Sequence, residues 1–323
     1  MARPRVFVSS RSFGRYDPDP LKRLQAVAEV ELNPYGRSPT REELITALAE
    51  ADGLLAGHDP LDAAILEAAP KLKIVARHGV GTDRIDMQAA TRRKVLVTWT
   101  PGANARAVAE YVFALALGLL RHTPAACDSM RAGRWDPRAF MGRTLHEKTL
   151  GIIGFGTIGR LVARIGRGFD MQVIAHDPFV NNAGDSGVEL TTLNDLLEKA
   201  DVVTLHCALT DDTRHLIDAG AISKMKPGAV LINTARAGVI DTQALCRAVS
   251  EKKIAGAALD VFDSEPPPPD DPLATTPDIL ATPHIAAYAR EAISEMDRMC
   301  ADDLIAFFSG KKPKYALNPE VLG

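Results

Sequence analysis

Cysteine is scarce in this sequence: Cys127, Cys207, Cys246 and Cys300 are the four in 323 residues. They are widely separated, with no Cys-x-x-Cys pair and no nearby histidine at metal-ligand spacing, which speaks against a disulfide scaffold and against a metal site. Each reads as a small buried side chain in a reducing compartment. Long apolar runs are missing as well. The longest, "YVFALALGLL", is about half a bilayer span, and the N-terminal "MARPRVFVSS" is too short in its apolar part for a signal peptide. The expectation is a cytoplasmic protein. An excess of one charge is also absent: 38 basic against 41 acidic residues give a formal net charge of −3, and the basic residues are scattered. No general field draws the chain to nucleic acid or a membrane, so its partners should be small molecules or protein. No repeat of solenoid length and no low-complexity tail is visible.

What the chain does have is alternation. Short apolar segments ("RVFV", "GLLA", "LKIVA", "VLVT", then "LGIIGF", "QVIAH", "DVVTLH", "AVLINTA", "GAALDV", "DILATPH") are separated by helix-like stretches. Continuous apolar strands instead of every-other ones predict parallel sheets covered by helices on both faces, an α/β architecture with two doubly wound sheets. The length suits two domains. The first set of strands ends near "TWTPGAN", where Pro101 and Gly102 break the chain and Asn104 can cap the apolar helix Ala105 to Leu120. One domain is expected over residues 102–286. The other is discontinuous, 1–101 and 287–323, completed by the amphipathic helix in "REAISEMDRMCADDLIAFFSG". The proline run "EPPPPDDP" (Glu265 to Pro272) should be a stiff surface loop.

In "LGIIGFGTIGRLVARIG" the triplet Gly154, Gly156 and Gly159 follows a strand and opens a helix. That context suits a dinucleotide: the first glycine turns the chain, the second admits the pyrophosphate, and the third lets helix and strand pack closely. The next strand ends at Asp177, where a carboxylate can accept hydrogen bonds from the adenosine ribose. No lysine or arginine follows in "PFVNNAG", so a 2′-phosphate would meet only repulsion. The expected cofactor is NAD.

Ligands of an open parallel sheet bind beyond the carboxyl ends of its strands. There stand His206 and Cys207, Thr234 and Arg236, Asp260 with the nearby Glu265, and His284. An arginine can bind a carboxylate with two parallel hydrogen bonds and polarise the adjoining carbonyl. A histidine beside a carboxylate can deliver a proton as hydride reaches carbon. The set predicts hydride transfer to a 2-oxo acid, with Arg236, Glu265 and His284 as the catalytic group. His206 reads as structural.

The ordered motifs "KIVARHGVGTDRID", "TPGANARAVAEYVFALAL", "KTLGIIGFGTIG", "LHCALTDDTRHLI", "MKPGAVLINTARAGVID", "AGAALDVFDSEPP" and "TPHIA" resemble the D-isomer-specific 2-hydroxyacid dehydrogenase family over nearly the whole chain. The similarity is closest in its phosphoglycerate dehydrogenase-like branch. The resemblance implies a flavodoxin-like substrate domain and a Rossmann NAD-binding domain separated by a cleft, and a homodimer. It implies backbone contacts to the pyrophosphate at Thr157 and Ile158, an adenine-side lining at Cys207, and nicotinamide contacts at Thr234 and Asp260. It also implies a substrate-carboxylate loop at His78, Gly79 and Val80, running to Gly81. Arg236 matches the substrate-binding arginine, Glu265 the paired acid and His284 the proton carrier.

Four positions depart from the family pattern. Ala237 stands where a second glycine is usual, Ala208 where proline is common, and Trp99 where asparagine is frequent. His58 stands where phosphoglycerate enzymes show an arginine, leaving Arg77 as the nearby cation. A smaller, non-phosphorylated 2-oxo acid such as hydroxypyruvate or glyoxylate is therefore open. Phosphoglycerate dehydrogenase proper is the alternative, and a dinucleotide-sensing, corepressor-like binding protein is the reading from another class. If position 237 needs positive φ, the Ala237 methyl strains it; otherwise the methyl trims the pocket.

Overall fold

The apolar segments form strands because both faces of each must be covered, and every ladder between named strands is parallel. The computed structural model describes residues 3–322. The chain divides into two units, Met1–Asn104 with Tyr288–Gly323, and Ala105–Ala287. The divisions fall at Asn104 and Ala287, against 101 and 286 read from the sequence. The first break thus lies at the start of a helix, not at the proline before it.

The first unit holds β1 (Arg5–Val8), α1 (Asp19–Val27), β2 (Glu29–Leu32), α2 (Arg41–Leu48), β3 (Gly53–Ala56), α3 (Ala63–Glu67), β4 (Ile74–Arg77), α4 (Met87–Arg92) and β5 (Leu96–Thr98). Its sheet order is β2-β1-β3-β4-β5, a doubly wound arrangement. Phe7, Leu54, Val75 and Val97 pack in one core layer, while Val6, Val8, Leu55, Ile74 and Leu96 pack in another. Alternate residues of each strand thus reach opposite, equally apolar faces. Three of the helices start on side-chain caps. Thr40 and Glu43 form a reciprocal capping box at α2, and Asp62 and Asp86 cap α3 and α4.

The second unit holds α5 (Ala105–Leu120), α6 (Thr123–Arg131), β6 (Thr149–Ile153), α7 (Thr157–Gly168), β7 (Gln172–His176), β8 (Glu189–Leu190), α8 (Leu193–Lys199), β9 (Val202–Leu205), α9 (Ala219–Ser223), β10 (Val230–Asn233), α10 (Thr242–Ser250), β11 (Gly256–Leu259), α11 (Pro272–Thr275) and β12 (Ile279–Ala281). Its strand order, β12-β11-β10-β9-β6-β7-β8, reverses direction between β6 and β9, the point where such sheets bind ligands. α5 packs on α7 and against β10, β11 and β12, and Phe113 stacks on Phe169 with ring centroids 5.3 Å apart. The proline run is loop up to Asp271, but Pro272 opens the short helix α11 under an Asp271 cap. A proline fits the first helical turn, where no N–H partner is needed. The chain returns to the first unit with α12 (Arg290–Phe308), which packs on α1 and β4. No helix among the described residues is long and apolar enough to cross a membrane.

Candidate active site

At the end of β6 the three glycines do three different jobs. Gly154 has φ +92°, and a Cβ there would lie 2.5 Å from the Cys207 nitrogen, so both conformation and space exclude a side chain. A Cβ on Gly159 would overlap the Gly154 carbonyl, which fixes how closely α7 approaches β6. Gly156 is different: it precedes α7 without a side-chain cap, and nothing lies within 4 Å of the position its Cβ would take. The first-turn N–H groups of α7, with the positive end of the helix dipole, thus face an open cradle suited to a pyrophosphate.

That difference is testable. Gly154→Ala should fail to fold stably. Gly156→Ala should cost about 1 kcal/mol through a weaker helix cap, yet weaken NADH binding about tenfold or more by filling the cradle. Thermal melts and NADH fluorescence titration separate the two.

Asp177 follows β7. One carboxylate oxygen accepts the Phe155 N–H at 2.8 Å and the other the Phe179 N–H at 2.9 Å, which ties the glycine turn to the end of the next strand. Each oxygen keeps a further acceptor position for a ribose hydroxyl. His206 and Cys207 follow β9, with the His206 N–H donating to the Ile153 carbonyl at 2.7 Å. Although His206 is half-exposed as a residue, burial of its ring pushes its pKa down to about 3. Its Nε2 lies 3.0 Å from the Thr204 hydroxyl, so it is a neutral structural group. Burial, with a smaller push from Asp177, raises the Cys207 thiol above its ordinary value. It is a poor nucleophile and suits a lining role.

Beyond β10, the Asn233 side chain shapes the turn that carries the arginine. It accepts the Ala235 N–H at 2.9 Å and donates to the Arg236 carbonyl at 2.9 Å. Arg236 itself is extended (φ −142°, ψ 142°), and its guanidinium donates to the Ala235 carbonyl at 2.8 Å. Ala237 is buried in the 3-10 turn Ala237–Val239 and is not among the residues with positive φ. Its methyl therefore strains nothing. The Thr234 hydroxyl is buried without a hydrogen-bond partner among the described residues, a polar atom left for a ligand.

Asp260, fully buried after β11, has more partners than a nicotinamide role alone needs. One oxygen accepts the Thr282 hydroxyl at 2.6 Å and the Ile285 N–H at 2.9 Å; the other accepts the Ala286 N–H at 2.7 Å. Three of about four acceptor positions are thus spent on the segment around His284. Tyr111 of α5 extends the network by bonding the Thr282 hydroxyl, and burial raises its phenol. The result is a clamp on both sides of His284, which sits at φ +52°, an uncommon conformation for a residue with a side chain. His284 Nδ1 lies 2.8 Å from Glu265 Oε1, which also accepts the Phe262 N–H at 3.3 Å. Neither Tyr111 nor Thr282 carried a signal in the sequence, because their importance lies in what they hold.

The loop after β4 lies in the first unit and has its own internal order. The His78 N–H donates to the Ala56 carbonyl at 2.8 Å and the Gly79 N–H to the Arg77 carbonyl at 2.9 Å. Those two N–H groups, assigned to substrate from the resemblance, are committed to the fold. Val80 and the following Gly81 carry the N–H groups without an acceptor among the described residues. Arg77 is buried; its guanidinium donates to the Gly81 carbonyl at 2.9 Å and to the His78 carbonyl.

The parallel sheet with its switch point, the glycine cradle and the histidine–glutamate pair define a class, dinucleotide-dependent oxidoreductases. Comparisons narrow it. The D-isomer specific 2-hydroxyacid dehydrogenase NAD binding domain family matches residues 113–286. The glyoxylate reductase of Korarchaeum cryptofilum is 39% identical over 327 residues, covering 99% of this chain and 97% of that protein. The D-3-phosphoglycerate dehydrogenase of Archaeoglobus fulgidus is 40% identical over 282 residues, covering 86% of this chain but 54% of that longer protein. A D-lactate dehydrogenase from Aquifex aeolicus, solved with NAD and lactic acid, superposes with a TM-score of 0.82 at 30% identity, covering 95% of this chain and 96% of that one. The chain belongs to the D-isomer specific 2-hydroxyacid dehydrogenase family. It is an NAD-dependent oxidoreductase that acts on small 2-oxo or 2-hydroxy acids.

Proposed function

We propose that this protein reduces a small, non-phosphorylated 2-oxo acid of the glyoxylate or hydroxypyruvate class to the D-2-hydroxy acid. The observation that carries the reading is the 2.8 Å bond between His284 and Glu265, placed at the strand ends of the unit that holds the glycine cradle and Arg236. NADH, when bound, supplies the hydride. With Nδ1 engaged by Glu265, His284 passes a proton to the substrate oxygen from Nε2, and the glutamate balances the imidazolium before transfer. Arg236 binds the carboxylate and polarises the carbonyl beside it. Thr157 and Ile158 offer backbone N–H groups to the pyrophosphate, Asp177 holds the ribose, and Cys207 lines the adenine side. Thr234 and the remaining acceptor position of Asp260 serve the nicotinamide. In the first unit, the N–H groups of Val80 and Gly81 suit a carboxylate.

Arg77 decides the substrate size. A phosphorylated substrate needs a cation to meet its second anionic group, and this guanidinium is turned into its own loop. Loss of NADH absorbance with glyoxylate, hydroxypyruvate, pyruvate and 3-phosphohydroxypyruvate tests this. The expected result is a kcat/KM about tenfold or more in favour of a non-phosphorylated acid; preference for the phosphorylated one makes the protein a phosphoglycerate dehydrogenase.

The same reading includes a homodimer in a reducing, cytoplasmic setting. All four cysteines are free thiols. Trp135 and Met141, 81% and 82% exposed, stand in the segment between α6 and β6 as large apolar groups that water alone would not favour. Trp135→Glu should shift the protein to monomer in size-exclusion chromatography with light scattering; an unchanged mass moves the interface elsewhere.

A further inference from the structure

We infer that Asp297, far from β4 in sequence and midway along α12, is a positioning residue for the substrate-carboxylate loop, and that it sets affinity for the 2-oxo acid through His78. The inference rests on the reading that Val80 and Gly81 seat that carboxylate. The loop's own hydrogen bonds turn its carbonyls away from the side where an anion would sit. The carbonyls of His78 and Gly81 turn to the Arg77 guanidinium, and the Gly79 carbonyl accepts the Thr100 N–H at 3.2 Å. The Val80 N–H shares its peptide with the inward-turned Gly79 carbonyl, and with the next N–H, of Gly81, it finds no acceptor among the described residues, which leaves a pair that suits an anion. Gly79 is fixed in identity as well: its φ is +147°, and a Cβ would lie 2.6 Å from the Arg77 guanidinium.

Backbone bonds tie the loop to Ala56 and Thr100, and the His78 side chain carries the connection on to α12 and the segment after β1. Its Nε2 lies 2.7 Å from Asp297 Oδ1, with both side chains buried, and its Nδ1 lies 3.4 Å from the Ser10 hydroxyl. The other Asp297 oxygen accepts the Gly14 N–H at 2.9 Å. One carboxylate therefore joins α12, the segment after β1 and the loop after β4. A buried pair of this kind gains little stability over apolar side chains of the same volume, but it fixes a geometry that apolar packing leaves adjustable. Here the geometry fixed is that of two N–H groups two and three residues beyond His78.

Asp297→Ala and Asp297→Asn test the assignment. Asparagine keeps the shape and can still accept the Gly14 N–H while its amide faces His78, so it should stay close to wild type. Alanine should raise KM for the best 2-oxo acid, and Kd for the non-reducible mimic oxamate on the NADH-loaded enzyme, about tenfold. KM for NADH and kcat should both move less than about threefold. Amide exchange should quicken in peptides spanning residues 76–84 and stay unchanged in those spanning 150–177. A KM and an oxamate Kd that do not change overturn the inference. So does a fall of kcat, NADH affinity and melting temperature together in both variants, which marks a merely structural residue. Failure of the wild type to turn over any 2-oxo acid defeats the functional reading instead, and oxamate binding with amide exchange then decides the role of Asp297.

Discussion

His284→Asn is expected to lower kcat for 2-oxo acid reduction by about a thousandfold, within the range that a positioned general acid contributes, while NADH affinity moves less than about twofold. Asparagine is the informative replacement because of the backbone. At φ +52° most side chains are strained, but asparagine adopts this region readily. Its short amide can also keep a hydrogen bond to Glu265, so the turn and the Asp260 clamp should survive. What disappears is the proton carried at Nε2. Glu265→Gln should do less, about ten- to hundredfold, since the imidazole stays in place but loses the carboxylate that balances its charge. Stopped-flow reduction, which separates the chemical step from product release, checks both. A loss below tenfold for His284→Asn would mean that the proton comes from elsewhere, and the His284–Glu265 bond would then be a structural feature of the loop.

Much of this arrangement was legible because it obeys local rules. The strands of both sheets announce themselves as apolar runs, since a strand covered on both faces has no polar side to show. β2, "EVEL", was not legible for the converse reason: it is an exposed edge strand, and β8 is a two-residue edge with no pattern at all. The glycine turn was legible because each glycine answers a local demand. The arginine, glutamate and histidine stood out as ionisable groups following apolar strands. The support around them was not visible. Asp260 reaches residues 22 to 26 positions further along the chain, and His78 pairs with a carboxylate 219 positions away. Such pairings follow no periodicity and appear only when the topology brings α12 onto β4. The resemblance named a loop, but which of its N–H groups are left without a partner depends on where each carbonyl turns. Backbone geometry decides that, and residue identity alone does not show it.

Arg236→Ala should be the second severe substitution, with kcat/KM for a 2-oxo acid falling about a thousand- to ten-thousandfold. Two contributions combine. Loss of a charge-assisted pair of hydrogen bonds to the carboxylate raises KM, and loss of positive charge beside the developing alkoxide lowers kcat, so both parameters should move in opposite directions. The Asn233 staple and the bond from the guanidinium to the Ala235 carbonyl hold this side chain in a set orientation before substrate arrives. Arg236→Lys should therefore recover less than about a tenth of the activity, because an ammonium group restores the charge but not the planar fork. If lysine recovers most of it, charge alone is at work and the bidentate geometry is unnecessary. If alanine changes KM but leaves kcat intact, Arg236 binds the carboxylate without polarising the carbonyl, and the stabilisation of the transition state falls to the protonated His284.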